Sequence, residues 1–246
     1  MKNIFILMFV VVLVSSCGEN VGRIDLAGKW TVRLDSADVG IQENWPGTAI
    51  MLPGTTDMAK LGTKTMLKPA LEKPQLLHLT RAYSYVGPAW YAREVEIPAE
   101  WKEKDCFLHL ERVLWDTQVW VDGIKVDGHE ESLVSPHCYN LTSYLQSGEK
   151  HLLTVRVDNR KRYDISVNDL AHAYTNATQV MWNGILGDMY IEAVDKVRVD
   201  DVQIYPDVAS RSAKVAVTVC NSEDVQQEAM LELLVLGEKD GKEYGI

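Results

Sequence analysis

Short runs of alternating apolar and polar residues, each closed by a turn residue, recur from Ile24 onward, and helical periodicity is nearly absent. In one such run Tyr91, Val95 and Ile97 share one parity. Pro98 then ends the run. Because successive side chains of a strand point to opposite faces of a sheet, this parity predicts a strand with one buried face. The sequence therefore predicts an all-β protein.

The pair Asp122-Gly123 separates two further strand-like runs and is typical of a β-hairpin, because both central residues of the favoured two-residue turn have positive φ. Residues 24–194 contain roughly eight predicted strands joined by irregular connections, which favours a jelly-roll β-sandwich over a small barrel. The Pro- and Lys-rich stretch Thr63–Pro74 is predicted to be a long surface loop at the rim of a site.

A second compositional unit covers residues 196–246, with three strand-like runs in 51 residues. An immunoglobulin-like sandwich needs about seven strands in about 100 residues, so this unit is predicted to be an incomplete immunoglobulin-like domain. Its apolar face, which includes Val215, Val217 and Val219, would lack a partner sheet. We therefore expect the chain to be a fragment, or its last segment to pair with something else.

The N-terminal segment is interpreted as an export signal. After Lys2, residues 4–14 form 11 consecutive apolar residues, too few to span a bilayer but enough for a signal-peptide core. The sequence Val14-Ser15-Ser16-Cys17 resembles a bacterial lipobox. We thus predict a signal peptide at residues 1–16, lipidation of Cys17 and a tether over residues 17–23. These features predict an exported, membrane-anchored lipoprotein, periplasmic or on the cell surface.

Charge and motifs exclude several functional classes. The net charge is −10, from 25 Lys and Arg against 35 Asp and Glu, with no basic cluster, so nucleic acid is not an expected partner. GxSxG, P-loop, GxGxxG and HExxH motifs are absent, and no cofactor is expected. His129-Glu130-Glu131 is interpreted as a solvated hairpin end rather than a metal site. The carboxylates Asp105, Glu111 and Asp116 are interpreted as ordinary strand-end residues rather than a catalytic pair.

The cysteines do not indicate a disulfide framework. Cys106, Cys138 and Cys220 remain once Cys17 is set aside, and no CxxC pair exists. Isolated buried thiols are the favoured interpretation, with a bridge between Cys106 and Cys138 as the alternative.

The tryptophans point to a ligand site, because aromatic faces stack on the apolar faces of sugar rings. Trp30 and Trp120 lie in strand-like runs and are predicted to be packing residues. Trp182 instead follows a polar stretch without strand periodicity and precedes the turn-favouring pair Asn183-Gly184. Its loop is a candidate ligand contact.

Five motifs in fixed order resemble those of a known family: Gly28-Lys29-Trp30, Leu52-Pro53-Gly54-Thr55-Thr56-Asp57, AWYAREVEIP at residues 89–98, Trp120-Val121-Asp122-Gly123, and WNGILG at residues 182–187. This order resembles the N-terminal sugar-binding domain of glycoside hydrolase family 2, over nearly all of residues 24–194. The segment from Val197 is similar to the start of the following immunoglobulin-like domain. The resemblance implies a jelly roll, an immunoglobulin-like sandwich and a TIM barrel with two catalytic glutamates.

Neither catalytic glutamate is expected in this chain, because the resemblance covers no barrel. In the family, the N-terminal domain contributes a loop that contacts the terminal sugar. The matching segment here precedes Trp182, so His172, Asn176, Gln179 and Trp182 are the candidate sugar contacts. Some β-galactosidases place an aspartate just before the corresponding tryptophan, where this chain has Gln179-Val180-Met181.

Two functional hypotheses follow. In the first, the chain is the non-catalytic N-terminal part of an exported glycoside hydrolase, inactive without its barrel. In the second, it is a freestanding lectin-like or structural lipoprotein that does not cleave glycans.

Overall fold

The computed structural model describes residues 8–9, 22–40, 47–64, 81–163, 181–237 and 243–245. His172, Asn176, Gln179, Cys17 and most of the stretch Thr63–Pro74 lie outside these residues. The chain divides into two compact units, a sandwich unit over Gly22–Val194 and a second unit formed by Met1–Val21 with Asp195–Ile246. No helix in the described part of the chain is long and apolar enough to cross a membrane.

The strands are β1 (Met8–Phe9), β2 (Arg23–Asp25), β3 (Gly28–Leu34), β4 (Thr48–Leu52), β5 (Gly54–Thr55), β6 (Thr63–Lys64), β7 (Tyr83–Ser84), β8 (Pro88–Glu96), β9 (Asp105–Arg112), β10 (Asp116–Val121), β11 (Ile124–Lys125), β12 (Glu130–Glu131), β13 (His137–Asn140), β14 (Lys150–Asp158), β15 (Gly184–Val194), β16 (Val197–Asp207), β17 (Ser212–Asn221), β18 (Leu234–Gly237) and β19 (Glu243–Gly245). A short 3₁₀ helix covers Ala99–Trp101. The predicted all-β fold is confirmed.

Two antiparallel sheets form the sandwich unit. The seven-stranded sheet has the order β11-β10-β14-β8-β3-β4, with β12 paired to β10. The five-stranded sheet has the order β13-β9-β15-β2, with β5 paired to β15. The short strands β6 and β7 pair separately. The inner faces of both sheets contribute to one apolar core, which confirms the predicted sandwich.

The predicted strand parities place the core correctly. Tyr91 and Val95 of β8 and Ile97, the residue that follows this strand, are all buried, as expected for one face. Asp122 and Gly123 have φ of 51° and 80°, so the hairpin between β10 and β11 uses the predicted turn. Removing these alternating apolar side chains from water is the main stabilising contribution to such a sandwich.

One of the two packing predictions needs correction. Trp30 is buried, as predicted, but Trp120 is only partly buried and faces outward, where its ring lies 4.8 Å from that of Trp90. Trp120 alternates with the buried residues Val119 and Val121, so strand parity requires its outward position.

The carboxylates considered in sequence lie apart in the fold. Asp105 begins β9 in the five-stranded sheet, whereas Asp116 begins β10 in the seven-stranded sheet. Glu111 Oε2 instead accepts a hydrogen bond of 2.7 Å from the Asp188 N–H.

The cysteines of the described residues are all free thiols. Cys106 is buried, Cys220 is partly buried and Cys138 is exposed. The expectation of buried thiols is therefore wrong for Cys138, because this residue takes the outward parity between the buried residues His137 and Tyr139.

The second unit is also built of strands. β16 and β17 form a long hairpin, while β18 pairs with both β1 and β19. The third predicted run, residues 228–237, is a strand only from Leu234. On β17, Val215 and Val217 are partly exposed and Val219 is 50% exposed.

Candidate functional site

The candidate site lies at the end of the sandwich unit where β15 begins. Gly184 and Ile185 of β15 pair with Thr55 and Gly54 of β5, which brings the chain before β15 next to the turn after β5. The Thr56 N–H donates a hydrogen bond of 2.8 Å to the Asn183 carbonyl. Two separate motifs of the sequence therefore meet at one end of the sandwich.

Asn183 is the structural centre of this end. Its side chain is fully buried, and Oδ1 accepts a hydrogen bond of 2.6 Å from the Tyr91 hydroxyl. Nδ2 donates to the carbonyls of Gly87 at 2.9 Å and Val157 at 3.2 Å. Because each polar atom of the amide has a partner, the backbone next to Trp182 is held in one position.

The hydroxyl that bonds Asn183 stays a neutral donor. Burial raises the pKa of Tyr91 well above its usual value. Burial also raises the pKa of Tyr85 to about 12, and this hydroxyl donates a hydrogen bond of 2.5 Å to the Pro88 carbonyl. Both phenols therefore remain protonated at neutral pH and keep donating their hydrogen bonds to Asn183 and to the Pro88 carbonyl.

Arg81 joins two parts of the chain that meet at the same end. Its Nη1 donates a hydrogen bond of 2.7 Å to the Met181 carbonyl, one residue before Trp182. Arg81 follows segment 65–80 in the sequence, and Met181 follows segment 164–180. One hydrogen bond thus holds Arg81 next to the Met181 backbone, across 100 residues of chain.

Asp57 provides a carboxylate beside this arginine. Its Oδ1 lies 4.0 Å from Arg81 Nη1, and this buried oxygen accepts no hydrogen bond from the residues that the structure describes. Its side chain remains 21% exposed. The exposed part of this carboxylate can therefore accept a hydrogen bond from a ligand hydroxyl, whereas Oδ1 itself is covered.

Of the four predicted sugar contacts, the structure describes only Trp182, which is partly buried. This intermediate exposure differs from that of the core residue Trp30 and leaves part of the ring accessible. Its role as a sugar contact stays a prediction. His172, Asn176 and Gln179 belong to segment 164–180, outside the described residues.

Other residues of the site were not predicted from the sequence. Asp57 and Asn183 fall inside the motifs that carry the family resemblance, and this position was the available signal. Tyr91 also falls inside such a motif, at residues 89–98, but its contact with Asn183 spans 92 residues of chain. Arg81 had no local signal, because its contact with Met181 spans 100 residues.

An ion-pair network flanks the base of the site at the end of β14. Arg160 Nη2 lies 2.6 Å from Asp158 Oδ2 and 2.7 Å from Asp38 Oδ2, and Arg156 Nη2 lies within 3.0 Å of both aspartates. Burial alone would raise the pKa of Asp158, but the hydrogen bonds of Arg160 and the charges of both arginines outweigh it and lower this pKa. Both aspartates therefore stay ionised at neutral pH.

His129 and Glu131 come close to Asp116. From the sequence, His129-Glu130-Glu131 is interpreted as a solvated hairpin end. The ligand atoms of His129, Glu131 and Asp116 lie within 4.8 Å of one another, a separation that a metal ion could bridge. However, Arg156 Nη1 and Arg162 Nη2 each lie 3.4 Å from an Asp116 oxygen, and His129 Nε2 bonds the same carboxylate. Since the two arginines already neutralise Asp116, the cluster fits an ion-pair network better than a cation site.

Comparisons with known proteins agree with this architecture. A family model described as "Glycosyl hydrolases family 2, sugar binding domain" matches residues 24–190. A β-galactosidase of Clostridium acetobutylicum is 27% identical over 175 residues, which cover 69% of this chain and 17% of that protein. A β-galactosidase of Thermoanaerobacter pseudethanolicus is 26% identical over 161 residues, which cover 60% of this chain and 22% of that protein.

Solved structures show the same fold. A β-glucuronidase of Faecalibacterium prausnitzii matches with a TM-score of 0.58 and 21% identity, over 83% of this chain and 37% of that one. A Ruminococcus gnavus β-glucuronidase matches with a TM-score of 0.60 and 17% identity, over 84% of this chain and 35% of that one. The chain spans less than a quarter of the length of the two β-galactosidases. Because the family model covers more than half of its residues, the protein belongs to glycosyl hydrolase family 2 and contains the sugar-binding domain of that family.

Proposed function

We propose that this protein supplies the non-catalytic sugar-binding domain of a glycoside hydrolase and that bond cleavage occurs in a catalytic barrel outside residues 1–246. The substrates would carry a terminal β-linked galactose or glucuronate, the sugars in the names of its relatives. The short share of those relatives that the chain spans supports a contribution to a site completed elsewhere.

The partly buried Trp182 is the observation that carries this proposal. Asn183 fixes its backbone on one side, and Arg81 holds the Met181 carbonyl on the other. A fixed and partly exposed indole can stack on the apolar face of a sugar ring. The partly exposed Asp57 carboxylate can accept a hydrogen bond from a sugar hydroxyl.

The isolated chain gives the first test. Purified chain is expected to show no turnover of p-nitrophenyl β-galactoside or β-glucuronide, because both catalytic glutamates are proposed to lie in the barrel. It is also expected to bind glycans with a Kd above about 1 mM, since the candidate site of this chain alone buries too little of a sugar to offset the cost of association. Turnover that copurifies with the chain would contradict the proposal, and submillimolar binding without turnover would favour the lectin-like alternative.

Trp182→Ala gives the second test, in the longer protein that carries the barrel. The lost stacking contact, about 0.5–1.5 kcal/mol, is expected to raise KM about two- to twelvefold while kcat changes little, because the contact binds substrate and transition state alike. Trp120→Ala is the matched control, since this partly exposed tryptophan lies on the outer face of the seven-stranded sheet. Equal KM values for the two variants would exclude Trp182 from the sugar site.

We further propose that the protein is exported and anchored through an acylated Cys17. The apolar run at residues 4–14 and the lipobox-like sequence before Cys17 support this proposal. Wild-type chain expressed in a bacterium with lipoprotein-processing enzymes is expected to incorporate labelled palmitate, whereas Cys17→Ala should not. Equal labelling of both would contradict the anchor.

A further inference from the structure

Three side chains on the outer face of the five-stranded sheet form a row of contacts that the sugar site does not use. Cys138 of β13 lies directly opposite His109 of β9, and its Sγ is 3.2 Å from His109 Nδ1. On the other side of the imidazole, Nε2 is 2.6 Å from Oε1 of Glu192, which belongs to β15. Three adjacent strands thus each contribute one group.

The partners of the imidazole determine which nitrogen carries the proton. The Glu192 carboxylate can only accept a hydrogen bond, so Nε2 donates to it. In the neutral ring Nδ1 then has a free lone pair, which accepts the Cys138 S–H. This order of nucleophile, base and orienting carboxylate is the arrangement that activates a thiol or hydroxyl.

The neighbouring residues hold the imidazole in place. The Tyr190 ring stacks on His109 with a centroid distance of 4.7 Å and an interplanar angle of 16°. The Arg23 guanidinium lies 3.4 Å from the Tyr190 centroid. Cys138 itself is exposed on β13, at the edge of its sheet, so a small reagent can reach the sulfur.

The thiol needs this base in order to react. Burial of part of the side chain, together with the charges of Glu130 and Glu192, raises the pKa of Cys138. The sulfur is therefore protonated at neutral pH, and its proton must be removed during the reaction. Cys106, by contrast, is buried and its pKa is raised to about 11.

We propose that Cys138, His109 and Glu192 form a thiol-modification site at which Cys138 exchanges with small disulfides. The Cys138 S–H bond breaks as its proton moves to His109 Nδ1. The Cys138 sulfur then forms a bond to one sulfur of the disulfide, whose S–S bond breaks. The departing thiolate takes the proton from His109, so Cys138 is oxidised to a mixed disulfide and half of the reagent is reduced to a thiol.

An open sheet face suits this reaction better than acyl transfer. Disulfide exchange needs a nucleophile and a proton carrier, both of which Cys138 and His109 provide. Acyl transfer also needs preorganised donors for a developing oxyanion. Glu192 stabilises the imidazolium that exists while His109 holds the proton.

Reaction of the full chain with 4,4′-dithiodipyridine tests the site. This reagent is neutral, so Glu130 and Glu192 do not repel it. At pH 7, peptide mapping is expected to show modification of Cys138 before Cys106 and Cys220. His109→Gln is expected to slow the reaction of Cys138 about tenfold or more, and Glu192→Gln about threefold, because general-base assistance is lost or weakened.

His151→Gln is the matched control. His151 Nδ1 lies 2.6 Å from Asp122 Oδ2 in the seven-stranded sheet, so this variant removes a similar histidine–carboxylate pair at a distant position. Its Cys138 is expected to react at the wild-type rate. A slowing equal to that of His109→Gln would show a general effect of the substitution and overturn the proposal.

The pH profile separates base catalysis from simple exposure. Between pH 6 and 9, the wild-type rate is expected to rise by much less than tenfold per pH unit, because proton transfer to His109 lets the protonated thiol react. The charged and titratable groups that face this pair are Glu130, Glu192, Tyr190 and Arg23. Without the base, the rate should rise about tenfold per pH unit with the thiolate fraction. A wild-type rate that follows this simple rise, or equal rates in wild type and His109→Gln, would overturn the proposal; if His109→Gln does not fold, the wild-type profile decides alone.

Discussion

Replacing Asn183 with alanine is expected to lower the free energy of unfolding of the sandwich unit by about 3–5 kcal/mol. The substitution leaves the Tyr91 hydroxyl and the carbonyls of Gly87 and Val157 without their amide partner. All of these groups lie at the buried base of the site, where each unsatisfied polar group costs about 1–3 kcal/mol.

Tryptophan fluorescence during urea unfolding measures this effect. All seven tryptophans lie within Gly22–Val194, so the signal reports on the sandwich unit. Asn140→Ala is the control, because Asn140 is exposed and its side chain accepts only a local hydrogen bond from Thr142 N–H. This variant should change stability by about 0.5 kcal/mol. Equal unfolding midpoints for the two variants would refute the central role of Asn183.

Gly184→Ala is expected to destabilise the same unit by about 4 kcal/mol, a value at the upper end for single substitutions. Gly184 has a φ of +151°, and an added Cβ would lie 2.2 Å from the Gly54 carbonyl oxygen and 2.8 Å from Thr55 Cα. These are backbone atoms, so β5 and β15 would have to separate to accommodate the methyl group.

The matched control for this substitution is Gly128→Ala. Gly128 has a φ of +95°, but an added Cβ meets no atom within 4 Å. The control therefore measures the cost of positive φ alone, about 1 kcal/mol, and the difference between the variants measures the clash. If both variants unfold at the same urea concentration, the added methyl group at Gly184 does not push β5 and β15 apart, and the prediction is wrong.

The core was predictable because strand parity is a local property. Leu153, Val155 and Val157 share one parity in the sequence, and all three are buried in β14. The turn at Asp122-Gly123 was predictable for a similar reason, because its backbone angles depend on two adjacent residues.

Contacts between distant strands were not predictable in this way. His109 and Glu192 are 83 residues apart, and their contact depends on the register between β9 and β15. A single sequence carries parity but not this register, so it gave no indication that Cys138 would meet a base. The outward position of Cys138 was predictable from its buried neighbours His137 and Tyr139, had β13 been identified as a strand.

The candidate site was predictable only in part. The polar stretch before Trp182 indicated a ligand loop, but the residues that anchor it come from elsewhere in the chain. Arg81 reaches Met181 across 100 residues, and Gly87 reaches Asn183 across 96. Such anchors become visible only when both sheets are assembled.

The hydrogen bond between Arg81 and the Met181 carbonyl has an evolutionary consequence. Because the acceptor is a main-chain carbonyl, a substitution at position 181 keeps this bond, whereas a substitution at position 81 removes its donor. Selection at this end of the sandwich would therefore act on the guanidinium at position 81, while the side chain at position 181 could diverge without loss of the bond.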